Sequence, residues 1–311
     1  IELPTIYSTG SAQLFGTGAI RMVKALAIDA LSFGSETADL EALIDIAKRM
    51  DCESTQEQLR TYINEGMSYG AAFRKALHTE ILNTPNALLG LEYIRAGLAY
   101  NPKLQYIPIL RTSNHHEETI TNELPSGTAL RQLITSTDNL TSQYITSTGN
   151  LSSQLQSTVS PSIASDMTRV IENGNYVNYN RYHDMVHSLS RRTTPEELEK
   201  YVDFSEGIER LWSKAAQQSS WTAATEEIKS KRYTYARLQR MGAYLTLGVT
   251  KDVLQNAMEE GPQYARLLAF NDRGRQWLRN EYEIPLIQKW AKAPNELSTL
   301  GQTMHYIDTL A

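Results

Sequence analysis

The sequence predicts an α/β fold: an incomplete layer of strands and helices over residues 1–132, followed by a mainly helical region over 161–311. Three observations predict it. Leu14, Ala19, Met22, Val23, Leu26 and Ala27 recur at helical spacing and run straight into a short apolar stretch, 28–33, that ends in Gly34-Ser35-Glu36. A second strand signal appears at 104–111 after a long stretch of helical patterning. From about residue 165 onward the periodicity is helical almost throughout.

Taken in order, residues 1–4 read as the end of a strand entering a loop. The run 28–33 is a short buried strand, and 39–47 is an amphipathic helix. Helix, strand, glycine turn, helix is the rhythm of an α/β layer, in which ligands sit outside the carboxyl ends of the strands. Helical patterns continue at 55–66, 69–82 and 87–98. Pro108 inside the second strand favours an edge or a bulge, because proline donates nothing to a ladder. A helix is expected to open near Ser126. Between them, 133–143 and 144–154 form a tandem eleven-residue repeat, LITSTDNLTSQ and YITSTGNLSSQ, which reads as a Ser/Thr-rich surface insertion spanning 133–160. A last strand is expected at 265–270, before a turn at 271–274.

The 311 residues are 41% hydrophobic and 21% charged, the balance of a globular protein of about two domains. No apolar run reaches the ~18–20 residues that cross a bilayer, and one cysteine, Cys52, excludes an internal disulfide framework. A cytoplasmic protein is expected. The net charge of −5 leaves RNA binding open, since the field of one face decides an encounter. Ile1 at the start and the abrupt stop at Ala311 read as the ends of a piece of a longer protein.

Five constellations could carry chemistry. Gly34 at a strand end lets a backbone N–H approach a base or phosphate, or serves only as a turn. Asn86, after Pro85, is either a helix N-cap or a hydrogen-bonding partner for an adenine or ribose. Arg111 at the second strand end suits a phosphate, with His115 and His116 in the loop beyond. Ser126, Thr128 and Arg131, with Gly127 and Leu130 between, present hydroxyls, amides and a cation at a helix start, an anion site or an ordinary cap. Lys229, Lys231, Arg232, Arg237 and Arg240 fall within twelve residues with no acid among them, interleaved with Tyr233 and Tyr235. Such a run is either a face for RNA phosphates or a solvated, acid-paired helix. Cys52 lies among acids, which disfavours a reactive thiolate. His183 and His187 are four apart, yet no third metal ligand follows, so no metal site is assigned. No nucleophile constellation, and hence no catalytic residue, stands out.

Taken together, Ile1-Glu2-Leu3-Pro4, Phe33-Gly34-Ser35-Glu36, Pro85-Asn86 with Leu89-Gly90, Arg111 with His116, Ser126 through Arg131, Lys229 through Met241 and Tyr264 through Phe270 resemble the tRNA(Met) cytidine acetate ligases. The resemblance covers nearly the whole chain outside the Ser/Thr-rich repeat. It implies a partial nucleotidyltransferase, Rossmann-like layer joined to a tRNA-facing helical domain. It also implies a ligase that activates acetate with ATP, accompanied by Mg2+, to acetyl-adenylate and transfers the acetyl group to N4 of the wobble cytidine of elongator tRNA(Met). On that resemblance ATP maps to Gly34, Asn86, Arg111, Ser126, Thr128 and Arg131, and RNA to Lys229, Lys231, Arg232, Arg237 and Arg240. The family's H-x-G-H motif, which grips the triphosphate, would precede Ile1, so this piece by itself is expected to be inactive. The alternatives are a nucleotidyltransferase acting on a small molecule, for which the basic run has no use, and a non-catalytic RNA-binding protein.

Overall fold

The helix α2, Ala12–Ala25, organises the start of the chain. Ser11 caps it by accepting the Leu14 N–H, and its apolar stripe buries Leu14, Ile20 and Met22. A short helix α1, Thr5–Ser8, precedes it and packs Tyr7 against Gly18, where any Cβ would stand 2.4 Å from the tyrosine ring. The computed structural model describes residues 1–67, 69–111, 127–131, 155–174 and 179–311. The repeat segment 133–154 lies outside the described residues.

β1, Ala30–Ser35, follows. The chain then passes through α3 (Leu40–Met50), α4 (Glu53–Asn64), α5 (Tyr69–Leu77) and α6 (Pro85–Tyr100) before returning as β2, Gln105–Leu110. The two strands are parallel, with Phe33 opposite Pro108 and Gly34 opposite Ile109. Each is an edge of a two-stranded sheet, which is where Pro108 is tolerated. One face of the sheet, carrying Phe33, packs with Leu43, Ile46, Phe73, Leu91 and Ile94 in a continuous core. On the other, Ile107 and Ile109 are more than half exposed or close to it, at 50% and 58%. Gly90 of α6 faces Phe33 so closely that a Cβ would lie 2.5 Å from its ring.

The chain divides into two compact units, 1–110 with 183–311, and 111–182. The first unit is closed by a second core in which Ile6, Tyr7 and Leu14 meet Tyr244, Val249, Tyr264, Met304 and Ile307. Its later helices are α8 (Tyr179–Arg192, entering from 183), α9 (Pro195–Leu198), α10 (Ile208–Ala215), α11 (Trp221–Ile228), α12 (Tyr235–Leu247), α13 (Lys251–Glu260), α14 (Asp272–Trp277) and α15 (Thr299–Leu310). The strand expected at 265–270 is only Ala265–Arg266, paired parallel with Leu286–Ile287. Leu268 and Phe270 are exposed instead, because Asn271 begins α14 by accepting the Gly274 N–H where a turn was expected. The second unit contains a helical turn at 127–131 and the helix α7, Pro161–Glu172. Leu130, Val159, Met167 and Ile171 pack there around Leu155 and Ala164. Among the described residues no helix is long and apolar enough to cross a membrane.

Candidate functional site

The strand-end site is assembled at the carboxyl end of β1. Gly34 is exposed there, while Phe33 and Ser35 on either side turn into the core, as strand alternation requires. Two residues on, Glu36 reaches the first turn of α6. Its Oε1 accepts from Asn86 Nδ2 at 2.7 Å, and its Oε2 accepts from the Ala87 backbone N–H at 2.9 Å. Asn86 is therefore not the helix cap. Thr84 occupies the N-cap position without a side-chain cap bond, Pro85 takes the first turn, and the capping oxygens come from a carboxylate 50 positions earlier.

Burial alone would push the Glu36 carboxyl up. Hydrogen bonds from Asn86, its own amide, Thr84 and the Ala87 amide instead hold it below the usual glutamate range. An anion at a helix N-terminus is also where the aligned peptide dipoles favour it. Of the Asn86 amide, one hydrogen goes to Glu36, leaving a second hydrogen and the carbonyl oxygen for a ligand among the described residues. Glu36 is a positioning residue that sequence spacing did not single out, because only the fold brings it to α6.

Arg111 directly follows the last residue of β2, is partly buried, and begins the second unit. Ser126, His115 and His116 lie outside the described residues. Within the turn 127–131, Arg131 Nη2 donates to Thr128 Oγ1 at 3.3 Å, so that pair is brought together as an i, i+3 spacing allows.

The basic run forms a loop and a helix start. Lys229 caps α11, residues 230–233 are closed by Ser230, whose Oγ accepts the Tyr233 N–H at 3.1 Å, and Thr234 caps α12. Arg237 and Arg240 then fall on one face of α12. The cations are not equivalent. Arg232 pairs with Glu206, and Arg237 pairs with Asp203 at 3.3 Å. Arg237 also lies over the Tyr233 ring at 5.0 Å. Arg240 donates to Tyr244, whose hydroxyl burial raises to about 12 against the opposing pull of that cation. Lys229 and Lys231 are exposed and form no ion pair among the described residues. The acids that meet the run are Asp203 and Glu206, both at positive φ (69° and 62°), rather than the neighbouring Glu226 and Glu227. Glu227 pairs with Lys214 instead.

His187 is buried and its Nε2–H donates to the Ala216 carbonyl at 3.0 Å, which makes it a packing residue. Cys52 is exposed at the start of α4. Among the described residues no three His, Cys, Asp or Glu side chains gather as a metal cage.

With this geometry in place, the comparisons with known proteins are specific. The family model described as HIGH Nucleotidyl Transferase matches residues 1–311. The tRNA(Met) cytidine acetate ligase of Alkaliphilus metalliredigens is 31% identical, over 93% of this chain and 72% of its own length. That of Acetivibrio thermocellus is 32% identical over the same shares, 93% and 72%. A crystal structure of Thermotoga maritima TmcAL without ligand has a TM-score of 0.87, covering 99% of this chain and 76% of that one at 23% identity. A second, of the same protein bound with alpha-thio ATP, has a TM-score of 0.83 at 24% identity over 99% and 76%. These two structures establish the nucleotidyltransferase-like α/β fold. The whole-chain family match and relatives above 30% identity establish more: this chain belongs to the HIGH nucleotidyl transferases and, within them, to the tRNA(Met) cytidine acetate ligase family, whose members are ligases.

Proposed function

We propose that this chain supplies the nucleotide-binding layer and the RNA-facing helices of an enzyme that ligates acetate to N4 of the wobble cytidine of elongator tRNA(Met). The observation that carries the proposal is the Glu36–Asn86 clasp at the carboxyl end of a parallel strand, in a chain 31% identical to a named tRNA(Met) cytidine acetate ligase. Nucleotides are bound at such strand ends. Gly34 offers an exposed backbone with no Cβ in the way, and the clasp fixes Asn86 with one hydrogen and one oxygen still available for adenine or ribose. Arg111, Ser126, Thr128 and Arg131 take the phosphate contacts that the family resemblance assigns to them. Mg2+ would ride on the nucleotide phosphates, as it does when a protein offers no dedicated cage. A solved relative holds an ATP analogue, which supports ATP as the nucleotide.

The chemistry has two balanced steps. A carboxylate oxygen of acetate attacks the α-phosphorus of ATP, and the bond to pyrophosphate breaks. The cytidine N4 amine then attacks the acetyl carbon, the bond to AMP breaks, and the amine loses a proton. Lys229 and Lys231 meet tRNA phosphates directly, and Arg232, Arg237 and Arg240 add to the positive field of the same run. Such a reaction takes place where mature tRNA is found, in the cytoplasm.

The test is ATP binding by equilibrium dialysis. Gly34→Val and Asn86→Ala are each expected to weaken ATP by tenfold or more, Gly34→Val melting as the parent does and Asn86→Ala losing about 1 kcal/mol with the clasp. Unchanged ATP affinity in both variants defeats the assignment of the nucleotide to this strand end.

A further inference from the structure

The end of α8, the turn of α9 with the residues after it, and the start of α13 line a cavity that no sequence motif announces. It measures about 340 Å³ and is lined by Leu189, Arg192, Thr193, Glu197, Lys200, Tyr201 and Thr250. Its walls are pinned. Tyr201 and Thr250 form a β-bridge, the Lys251 amide donates to the Lys200 carbonyl at 2.9 Å, and Lys251 Nζ donates to the Phe204 carbonyl at 2.7 Å.

Two cations line this space without an ion pair among the described residues. The contrast with the preceding residue is sharp. Arg191 donates to the carbonyls of Ala216, Gln217 and Gln218, whereas Arg192 is exposed and has no side-chain partner among the described residues. Lys200 is likewise exposed and makes no ion pair among the described residues. Glu197, the one acid in the lining, accepts the Thr194 N–H at 2.9 Å through its Oε2, and the nearby Lys200 ammonium helps to hold its carboxyl down. The net charge of the lining is +1, from two cations and one carboxylate. Tyr201 supplies a half-buried ring and Thr250 a hydroxyl beside the cations.

We infer that this cavity seats a backbone phosphate of the RNA substrate, with Arg192 and Lys200 as its cationic contacts and Tyr201 against the adjoining sugar or base. It rests on the tRNA reading above and extends it to a second contact. Continuity favours RNA over a free nucleotide. The segment that bears Lys200 and Tyr201 goes on to Asp203 and Glu206, which bind Arg237 and Arg232 of the basic run. On this reading a strand that meets Lys229 and Lys231 has its next phosphate seat in the cavity. An arginine fork and a compact ammonium beside an aromatic ring are the groups that hold RNA phosphate and sugar.

The test titrates salt. A tRNA(Met) transcript is bound to the chain and to the Arg192→Gln/Lys200→Gln double variant across a range of KCl, with ATP binding measured in parallel. The cavity seats one phosphate, so the double variant is expected to lower the log–log salt slope by ~0.7–0.9. ATP affinity and melting temperature are expected to stay at parent values, since both side chains are exposed. Arg192→Glu/Lys200→Glu is expected to weaken tRNA further through repulsion. A parent that binds steeply, with both double variants matching its slope, overturns the cavity as a contact and leaves the tRNA reading standing. Weakened ATP with unchanged tRNA binding also overturns it, and assigns the cavity to a free nucleotide. A parent that shows no salt-dependent tRNA binding overturns the tRNA reading itself.

Discussion

Two carboxylates touch the same helix, α6, and they are held in opposite states. Glu36 arrives from the end of β1 at the first turn, where Asn86 and the Ala87 amide donate to it. Glu92 sits in the middle of the helix, only 2% exposed, with Arg95 at 3.4 Å and one oxygen lacking a partner among the described residues. For Glu36 the donated hydrogen bonds outweigh burial and the carboxyl is held down. For Glu92 burial outweighs the pull of Arg95 and the carboxyl is pushed up. The difference lies in backbone supply. A helix start has free N–H groups that stabilise an anion, while a helix middle has none to give. The start of α6 is thereby kept anionic, and the middle is a packing zone that tolerates a charge at a cost.

Leu91 stands between the two and breaks the comparison most forcefully. It is fully buried among Phe33, Leu43 and Phe73, so Leu91→Ala is expected to cost ~2–5 kcal/mol in a urea melt and to weaken ATP as the helix start loosens. A loss under about 1 kcal/mol contradicts the view that this core positions the strand end.

Glu36→Gln sharpens the comparison at its anionic end. The variant keeps the shape but removes charge-assisted acceptors, and with the carboxylate partly in water the expected cost is about 1 kcal/mol at pH 7. The sign with pH follows from the depressed carboxyl. Its stabilisation is present above the unfolded glutamate value and is lost as pH falls through the lower folded value. Glu36→Gln is therefore expected to narrow its gap to the parent as the medium becomes acidic. A gap that widens in acid shows that the clasp does not hold an anion.

The smallest effect is expected at Glu92→Gln. Arg95 keeps Asp51, with Nη2 at 2.6 Å, so no buried cation is orphaned and the change at neutral pH is about 1 kcal/mol or less. Here the folded carboxyl is raised. Its contribution favours the fold below the unfolded glutamate value and is lost as pH rises through the folded one. The parent is expected to lose stability over that rise and the Gln variant not to. Matching pH profiles of the two proteins place Glu92 on the same footing as a surface acid.

Much of the architecture was legible from local pattern. The helix at 12–25, the strand reaching Gly34, the helix opened by Asp39 and the strand carrying Pro108 all stand close to where periodicity, caps and breakers put them. The strand expected at 265–270 was not, because its apolar residues mark a surface stretch and only Ala265 and Arg266 find a partner strand. Within the candidate site, single residues were legible as types and their contacts were not. Gly34 and Asn86 were found as residue types in a pattern, but the cap reading of Asn86 failed because the true capping group is 50 residues distant.

What the sequence by itself determined is whatever depends on neighbours a few positions apart. Caps such as Thr234 and Ser298 satisfy amides three residues on, and the spacing of Arg237 and Arg240 follows from one helical turn. The order of motifs that marks the family is likewise written along the chain. What only the tertiary structure decided is which charges are spent. Arg232 and Arg237 meet Glu206 and Asp203 about thirty residues away rather than the adjacent glutamates, Arg191 is consumed by carbonyls while Arg192 is left exposed, and Glu36 becomes the cap of a remote helix. The physical reason is that a charged side chain takes the partner that folding brings within hydrogen-bond reach, and that distance is set by packing of the cores rather than by separation along the chain.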